Sequence, residues 1–254
     1  MIYDLQKASL LKRVSAWILD MILLLVLVTG IGAVMSSALK FDSYAQAVED
    51  RLAYYETQHG VKFDLTQEEF DKLSEQEKEK LNTAYAAFSQ DADANYNYNM
   101  VISLSMVIVS LSVLLAYLGL EFAVPLLFGN GQTVGKKIFG IALMKQNGVK
   151  VNAVTLFVRT VLGKFTFETM IPLLLILMMF IGMIGIVGPL VILGILLVEL
   201  VLMISSKTNA TIHDKLAQTV AVDMSSQMIF GSELEMIAYK QRRHEEMVRQ
   251  QPYM

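Results

Sequence analysis

Apolar residues fall along this chain in long unbroken blocks separated by polar stretches. Three blocks stand out, at 17–38, 100–128 and 169–204. A helix needs about 20 predominantly apolar residues to cross a bilayer, so each of the first two blocks crosses once. The third holds 36 residues without a Lys or Arg. As one helix it would run about 54 Å against a hydrocarbon core of about 30 Å. It must fold back, and Gly182, Gly185, Gly188 and Pro189 are the breakers near its middle. Two helices over 167–183 and 189–205 follow, giving four transmembrane helices.

The chain thus divides into an N-terminal segment with the first span (1–39), a polar loop (40–99), the second span (100–128), a basic loop (129–166), a hairpin of spans three and four (167–205) and a polar tail (206–254). Composition agrees. The chain is 54% hydrophobic with a mean hydropathy of +0.48, whereas soluble domains run nearer 45–50% apolar. The fold class expected is an all-α polytopic integral membrane protein, multi-pass in the plasma membrane, with the lipid bilayer as its first partner. Lys7, Lys12 and Arg13 before the first block also fit a secretory signal. Asp20 interrupts that block, however, and the block exceeds the usual 7–15 residues, so retention as a helix is expected.

Charge sets the orientation. Residues 129–165 carry six basic side chains and no acidic ones, while 40–99 carry six basic against thirteen acidic. Lys and Arg in short loops face the cytoplasm. Both termini are therefore placed in the cytoplasm and the acidic loop outside.

The outer loop carries structure of its own. Thr66 with Glu69 and Ser74 with Glu77 match capping boxes, and Leu73, Leu81, Ala84, Tyr85 and Phe88 form a helical apolar stripe. This predicts an extracytoplasmic helical insertion, either a solvated spacer or a docking surface. The basic loop predicts a small cytoplasmic β-sheet. Two β-prone runs between Ile138 and Val151 flank Asn147-Gly148, the favoured hairpin dipeptide because both positions take positive φ. Thr219–Val222 offers a further strand, and Ser232 with Glu235 opens a helical tail.

Three segments together resemble the RDD family, bacterial membrane proteins named for one arginine and two aspartates. They are Leu11-Lys-Arg13-Val-Ser-Ala16-Trp17-Ile-Leu-Asp20, then Gly131-Gln-Thr-Val-Gly135-Lys136-Lys137-Ile-Phe-Gly140 with Asn147-Gly148 and Arg159, and His213-Asp214-Lys215-Leu216-Ala217-Gln218. Matched residue by residue, Arg13, Asp20 and Asp214 occupy the naming positions. Gln218 stands where the family usually has glycine, and Thr160 where asparagine is common. The resemblance covers the spans and the sheet, leaving the acidic loop and the tail as additions. It implies little about function: some members are linked with ion or solute transport, others act as membrane adaptors.

Charged side chains inside membrane blocks mark function or pairing. Arg13 and Asp20 lie seven residues apart, on one helix face. Glu121 and Glu199 fall near the inner ends of the second and fourth spans, and Glu168 opens the third. On one reading Asp20, Glu121 and Glu199 line an inner cavity that takes protons, cations or solutes, with Lys136, Lys137 and Arg159 attracting or gating substrate. On the other, these acids pair permanently with Arg13, Arg159 and Lys164 and fix helix register. Asp214 is expected to hydrogen-bond near the sheet, and the lysines Lys136 and Lys137 to meet anionic headgroups.

Several classes are set aside. Without cysteine there is no disulfide or thiolate site. His213-Asp214 supplies too few ligands for a metal, and His59 and His244 lie far off, so no metal or cofactor is expected. The 129–137 glycines lack the residues of a phosphate loop. No catalytic set emerges, so an enzyme is not expected, and no nucleic-acid reader motif is present. Two functions remain: transport of a small cation or solute, for which four helices are few and a homo-oligomer is needed, or a membrane adaptor that docks a membrane or extracytoplasmic protein partner.

Overall fold

The computed structural model describes residues 5–250. In chain order the elements are α1 (Leu10–Ala38), α2 (Phe41–His59), α3 (Gln67–Asp71), α4 (Glu75–Gln90), α5 (Ala92–Phe128), α6 (Val134–Ile138), β1 (Ile141–Lys145), α7 (Ala153–Phe180), α8 (Val187–Ser205), α9 (Ile212–Leu216), β2 (Thr219–Asp223) and α10 (Glu233–Gln250). Residues 1–4 and 251–254, the chain ends assigned above to the cytoplasm, lie outside the described residues.

Four helices, α1, α5, α7 and α8, are long and apolar enough to cross a membrane. Large apolar side chains such as Leu25, Val26, Leu196 and Ile204 point outward on them. A helix satisfies its backbone internally, so lipid can take the place of a protein core around such faces. This is a multi-pass membrane protein. The third helix starts at Ala153, well before the 167 expected from the apolar run. Asn152 caps the Thr155 amide at 2.8 Å, and Arg159 and Lys164 lie inside the helix because each finds a carboxylate there. The fold-back between α7 and α8 falls at 181–186, within the breaker region.

Two stretches widen to π geometry: Tyr117–Ala123 within α5 and Val158–Met170 within α7. Such turns free backbone carbonyls and occur often at functional sites. Here hydroxyls take up carbonyls: Thr160 donates to Glu121 O at 3.0 Å, and Thr166 and Thr169 donate five residues back to Val161 O and Lys164 O.

The chain forms two compact units, Met1–Val28 with Val113–Met254, and Thr29–Ser112. In the second, both capping boxes form: Thr66 with Glu69 and Ser74 with Glu77 each exchange two bonds. Leu81 and Ala84 are buried, and Phe88 packs edge-on against Tyr55, while Tyr85 stays exposed. Asp91 ties α2 to the start of α5, accepting from Tyr55 at 3.1 Å and pairing with Arg51.

In the first unit β1 and β2 pair antiparallel, Leu143 opposite Ala221. Side chains alternate between faces. Ile141, Leu143 and Ala221 pack with Ala16 and Leu156, while Ala142, Met144, Val220 and Val222 pack with Leu5 and Ile229. Both faces are therefore dry. The hairpin expected at Asn147-Gly148 is reduced to one isolated bridge, Met144 to Lys150, and Val149 bridges instead to Phe230. Only Gly148 takes positive φ, 89°, and Asn147 does not, so the turn is the three-residue form with a left-handed glycine rather than the two-residue one. The main partner of β1 is β2. On α10, Ser232 accepts from Glu235 N at 3.2 Å, but the Glu235 carboxylate accepts from Gly231 N, one residue before the expected amide.

Candidate functional site

Asp20 lies one turn into the buried face of α1, beside Ala16. Its carboxylate accepts from Thr133 Oγ1 at 2.5 Å and from the Gly135 amide at 2.7 Å. Thr133 is the N-cap of α6, so Asp20 reaches the first turn of that helix. The approach requires glycine: a Cβ on residue 135 would lie 2.3 Å from Ala16 O and 2.9 Å from Asp20 Cγ. Lys136 Nζ stands 3.9 Å from Asp20 Oδ2. Burial brings the Lys136 ammonium down to about 8, against the attraction of Glu121. Lys137 instead is exposed and sits over the Phe128 ring at 3.7 Å.

Asp214 gathers both arginines. Arg159 donates to Oδ1 at 2.8 Å and Arg13 to Oδ2 at 3.3 Å, while Arg13 also donates to Asn209 O at 2.7 Å. Thr219 Oγ1, at the start of β2, donates to Oδ1 at 3.1 Å. Burial opposes ionisation of Asp214, but the charges of Arg159 and Arg13 outweigh it and hold the carboxyl well below the ordinary range. Glu121 is paired as well, with Lys164 Nζ at 2.5 Å. Lys164 also lies 5.6 Å from the Tyr117 ring, whose hydroxyl shares a hydrogen bond with Thr169.

The π stretch explains how one helix supplies Arg159, Lys164 and Glu168 together. At about 100° per residue an α-helix would turn Glu168 to the side opposite Arg159. Wider turns, closed by bonds five residues back, return positions five and nine residues on toward the same face. Glu168 accepts from the His213 amide at 2.9 Å and lies 2.7 Å from His213 Nδ1. Gly163 lets α9 come this close, since a Cβ there would lie 2.7 Å from His213 Cβ. Burial, aided by the Arg159 charge, pushes His213 below its ordinary value.

Glu199 on α8 differs from the other acids. Among the described residues no hydrogen bond or ion pair reaches its half-buried carboxylate. One oxygen from each of Glu168 and Glu199 and one His213 nitrogen all lie within 4.8 Å of one another. The three groups come from α7, α8 and α9, far apart along the chain.

These groups border a cavity of about 480 Å³. Arg13, Asp20, Lys136, Arg159, Lys164, Glu168, Glu199 and His213 line it, together with apolar Trp17, Leu196 and Met203. Glu121, expected beside Asp20 and Glu199, is not among the residues lining the cavity; its carboxylate pairs with Lys164. Thr133 and Tyr117 are contributors that hydrophobic patterning did not single out for the site. Arg13 and Arg159 pair with Asp214, and Lys164 pairs with Glu121, whereas Asp20 is held by a hydroxyl and a backbone amide rather than by an arginine. Glu168 meets His213.

No curated protein and no solved structure matches the chain. The sequence model of the RDD family matches residues 7–218, a span that includes Arg13, Asp20, Arg159 and Asp214 and leaves α10 outside. The chain belongs to the RDD family.

Proposed function

We propose that this protein moves a small cation across the membrane by way of the cavity bordered by α1, α7, α8 and α9. The observation that carries this reading is Glu199: a carboxylate on a membrane helix, beside Glu168, with no protein cation assigned to it. An ionisable group inside a membrane protein is costly unless paired or functional, and the other acids of the site have partners. The charge bias of the loops supports a cytoplasmic position for the sheet and the cavity mouth. Four spans per chain favour a homo-oligomer as the transporting unit.

The test is flux through liposomes reconstituted with purified protein, loaded with a cation-sensitive or proton-sensitive dye. Glu199→Gln is expected to fold normally and to abolish flux. Normal folding with unchanged flux sinks the reading. An adaptor role draws on α10, whose Leu234, Ile237, Met247 and Val248 are exposed. Silent liposomes together with a stoichiometric partner recovered from native membranes, and lost on removal of α10, would favour it.

A further inference from the structure

We infer that the open side of this cavity is a binding site for one membrane phospholipid, its phosphate held by Lys136 and an acyl chain laid along the cleft between α1 and α8. The inference goes beyond the transport reading and stands whether or not a cation passes through the cavity.

The cleft comes first. Helices α1 and α8 both supply walls of the cavity but do not pack on each other. Trp17 on α1 and Leu196 on α8 line the cavity and are nonetheless 52% and 60% exposed. Leu10, Val14 and Leu200 line it and are exposed as well. A side chain that borders a cavity while staying open on its other side marks a wall that protein does not close. Both walls are membrane helices, so the medium around them is lipid and an acyl chain is what fills the gap. The volume, about 480 Å³, lies within the roughly 300–1,000 Å³ of small-molecule sites, which are likewise mostly apolar with a few placed polar groups.

Lys136 makes the occupant a phospholipid rather than any apolar chain. Its side chain is only 14% exposed and lines the cavity. Its ammonium donates to Thr133 Oγ1 at 3.2 Å and makes no other hydrogen bond among the described residues. The closest carboxylate, Asp20, stands 3.9 Å away and already accepts from the Thr133 hydroxyl and the Gly135 amide. An ammonium carries three N–H donors, so two are left over. Arg13, Arg159 and Lys164, the other cations on the wall, each donate to a carboxylate. Burying a cation short of acceptors is costly. Burial indeed draws Lys136 down to about 8, so its neighbours do not make up the loss. A phosphodiester supplies both acceptor oxygens and a negative charge, and lysine binds phosphate as a point charge. Helix α6 lies between two spans, so Lys136 meets the cavity from the membrane-surface side, the level of a lipid phosphate.

The experiment is native mass spectrometry of the full chain purified in a maltoside detergent, with phosphatidylglycerol or diacylglycerol of the same acyl chains added in turn. One phosphatidylglycerol per chain is expected to survive activation that strips diacylglycerol. Lys136→Gln is expected to weaken phosphatidylglycerol binding at least about 10-fold, as loss of a charge-assisted hydrogen bond implies. Lys137→Gln, which alters an exposed lysine outside the cavity lining, should leave binding unchanged. Where Lys136→Gln misfolds, Leu196→Trp decides the matter: it fills the cleft from an exposed wall position and is expected to displace the lipid with the melting temperature unchanged. Equal retention of the two lipids, equal losses from Lys136→Gln and Lys137→Gln, or binding that Lys136→Gln and Leu196→Trp leave untouched overturns the site. A dimer that carries no lipid, its cleft closed by a second copy, overturns it as well.

Discussion

Arg13 and Asp20 leave the same face of α1 and do not meet. Arg13 turns to Asp214, and Asp20 turns to the Gly135 amide and the Thr133 hydroxyl. The two acids consequently differ in what their loss exposes. Asp214→Asn leaves two guanidiniums without their common anion in a buried setting, and removing one partner of a buried pair costs about 3–5 kcal/mol. Asp20→Asn keeps an oxygen acceptor for the Gly135 amide and should cost nearer 1–2 kcal/mol. Thermal unfolding in detergent is expected to rank the two variants in that order. Equal melting temperatures would contradict the division of labour.

Acid sensitivity follows from the same knot. His213 and Asp214 both have folded-state values depressed below their ordinary ones. For such groups the unfolded chain binds protons at the higher pH, so their contribution to stability is present above the unfolded value and declines as pH falls. His213 should begin to cost stability below about 6.5, and Asp214 below about 3.9. Melting temperature is expected to drop between pH 7 and 5, with His213→Gln showing a flatter profile over that interval. A wild-type profile flat from pH 7 to 5 would mean that His213 is not held neutral.

Gly163 controls how closely α9 lies on α7. A methyl there would sit 2.7 Å from His213 Cβ and 2.8 Å from His213 Cα. Neither neighbour is the free end of a flexible side chain, so α9 must shift. Overpacking of this kind costs about 1–3 kcal/mol. Gly163→Ala is expected to lower the melting temperature, since the shift strains the bonds between His213 and Glu168. An alanine variant that melts at the wild-type temperature would show that the contact is looser than described.

How far the site was legible follows the period of each element. The long apolar blocks, the two outer capping boxes and the Asp20 and Asp214 motifs are local signals, and the structure forms all of these elements. Arg159, Lys164 and Glu168 are another matter. Read at 3.6 residues per turn they point apart, and the first two looked like loop residues before a helix opening near Phe167. In the π stretch that unites them Thr166 and Thr169 take up carbonyls five residues back, while Thr160 ties the stretch to Glu121 O on α5, a long-range contact with no local signature. Glu199 was visible as an intramembrane acid. Its lack of a partner was not, because partners come from segments distant in sequence.

Gln218 offers a test from the opposite direction. It closes the turn between α9 and β2 with φ of +52°, a left-handed conformation that only glycine takes without steric cost. The resemblance places glycine at this position in relatives, and the backbone explains why. Gln146 N donates to Gln218 O at 3.0 Å, so the turn also anchors the end of β1 and cannot relax to another conformation without losing that bond. A non-glycine residue held in this region costs about 1 kcal/mol or somewhat more, partly offset by the larger entropy glycine loses on folding. Gln218→Gly should therefore raise stability by about 0.5–1 kcal/mol, read as a higher melting temperature in detergent. Gln218→Val, branched at Cβ and ill-suited to positive φ, should lower it. If both substitutions destabilise, the glutamine side chain contributes a contact that outweighs its backbone strain.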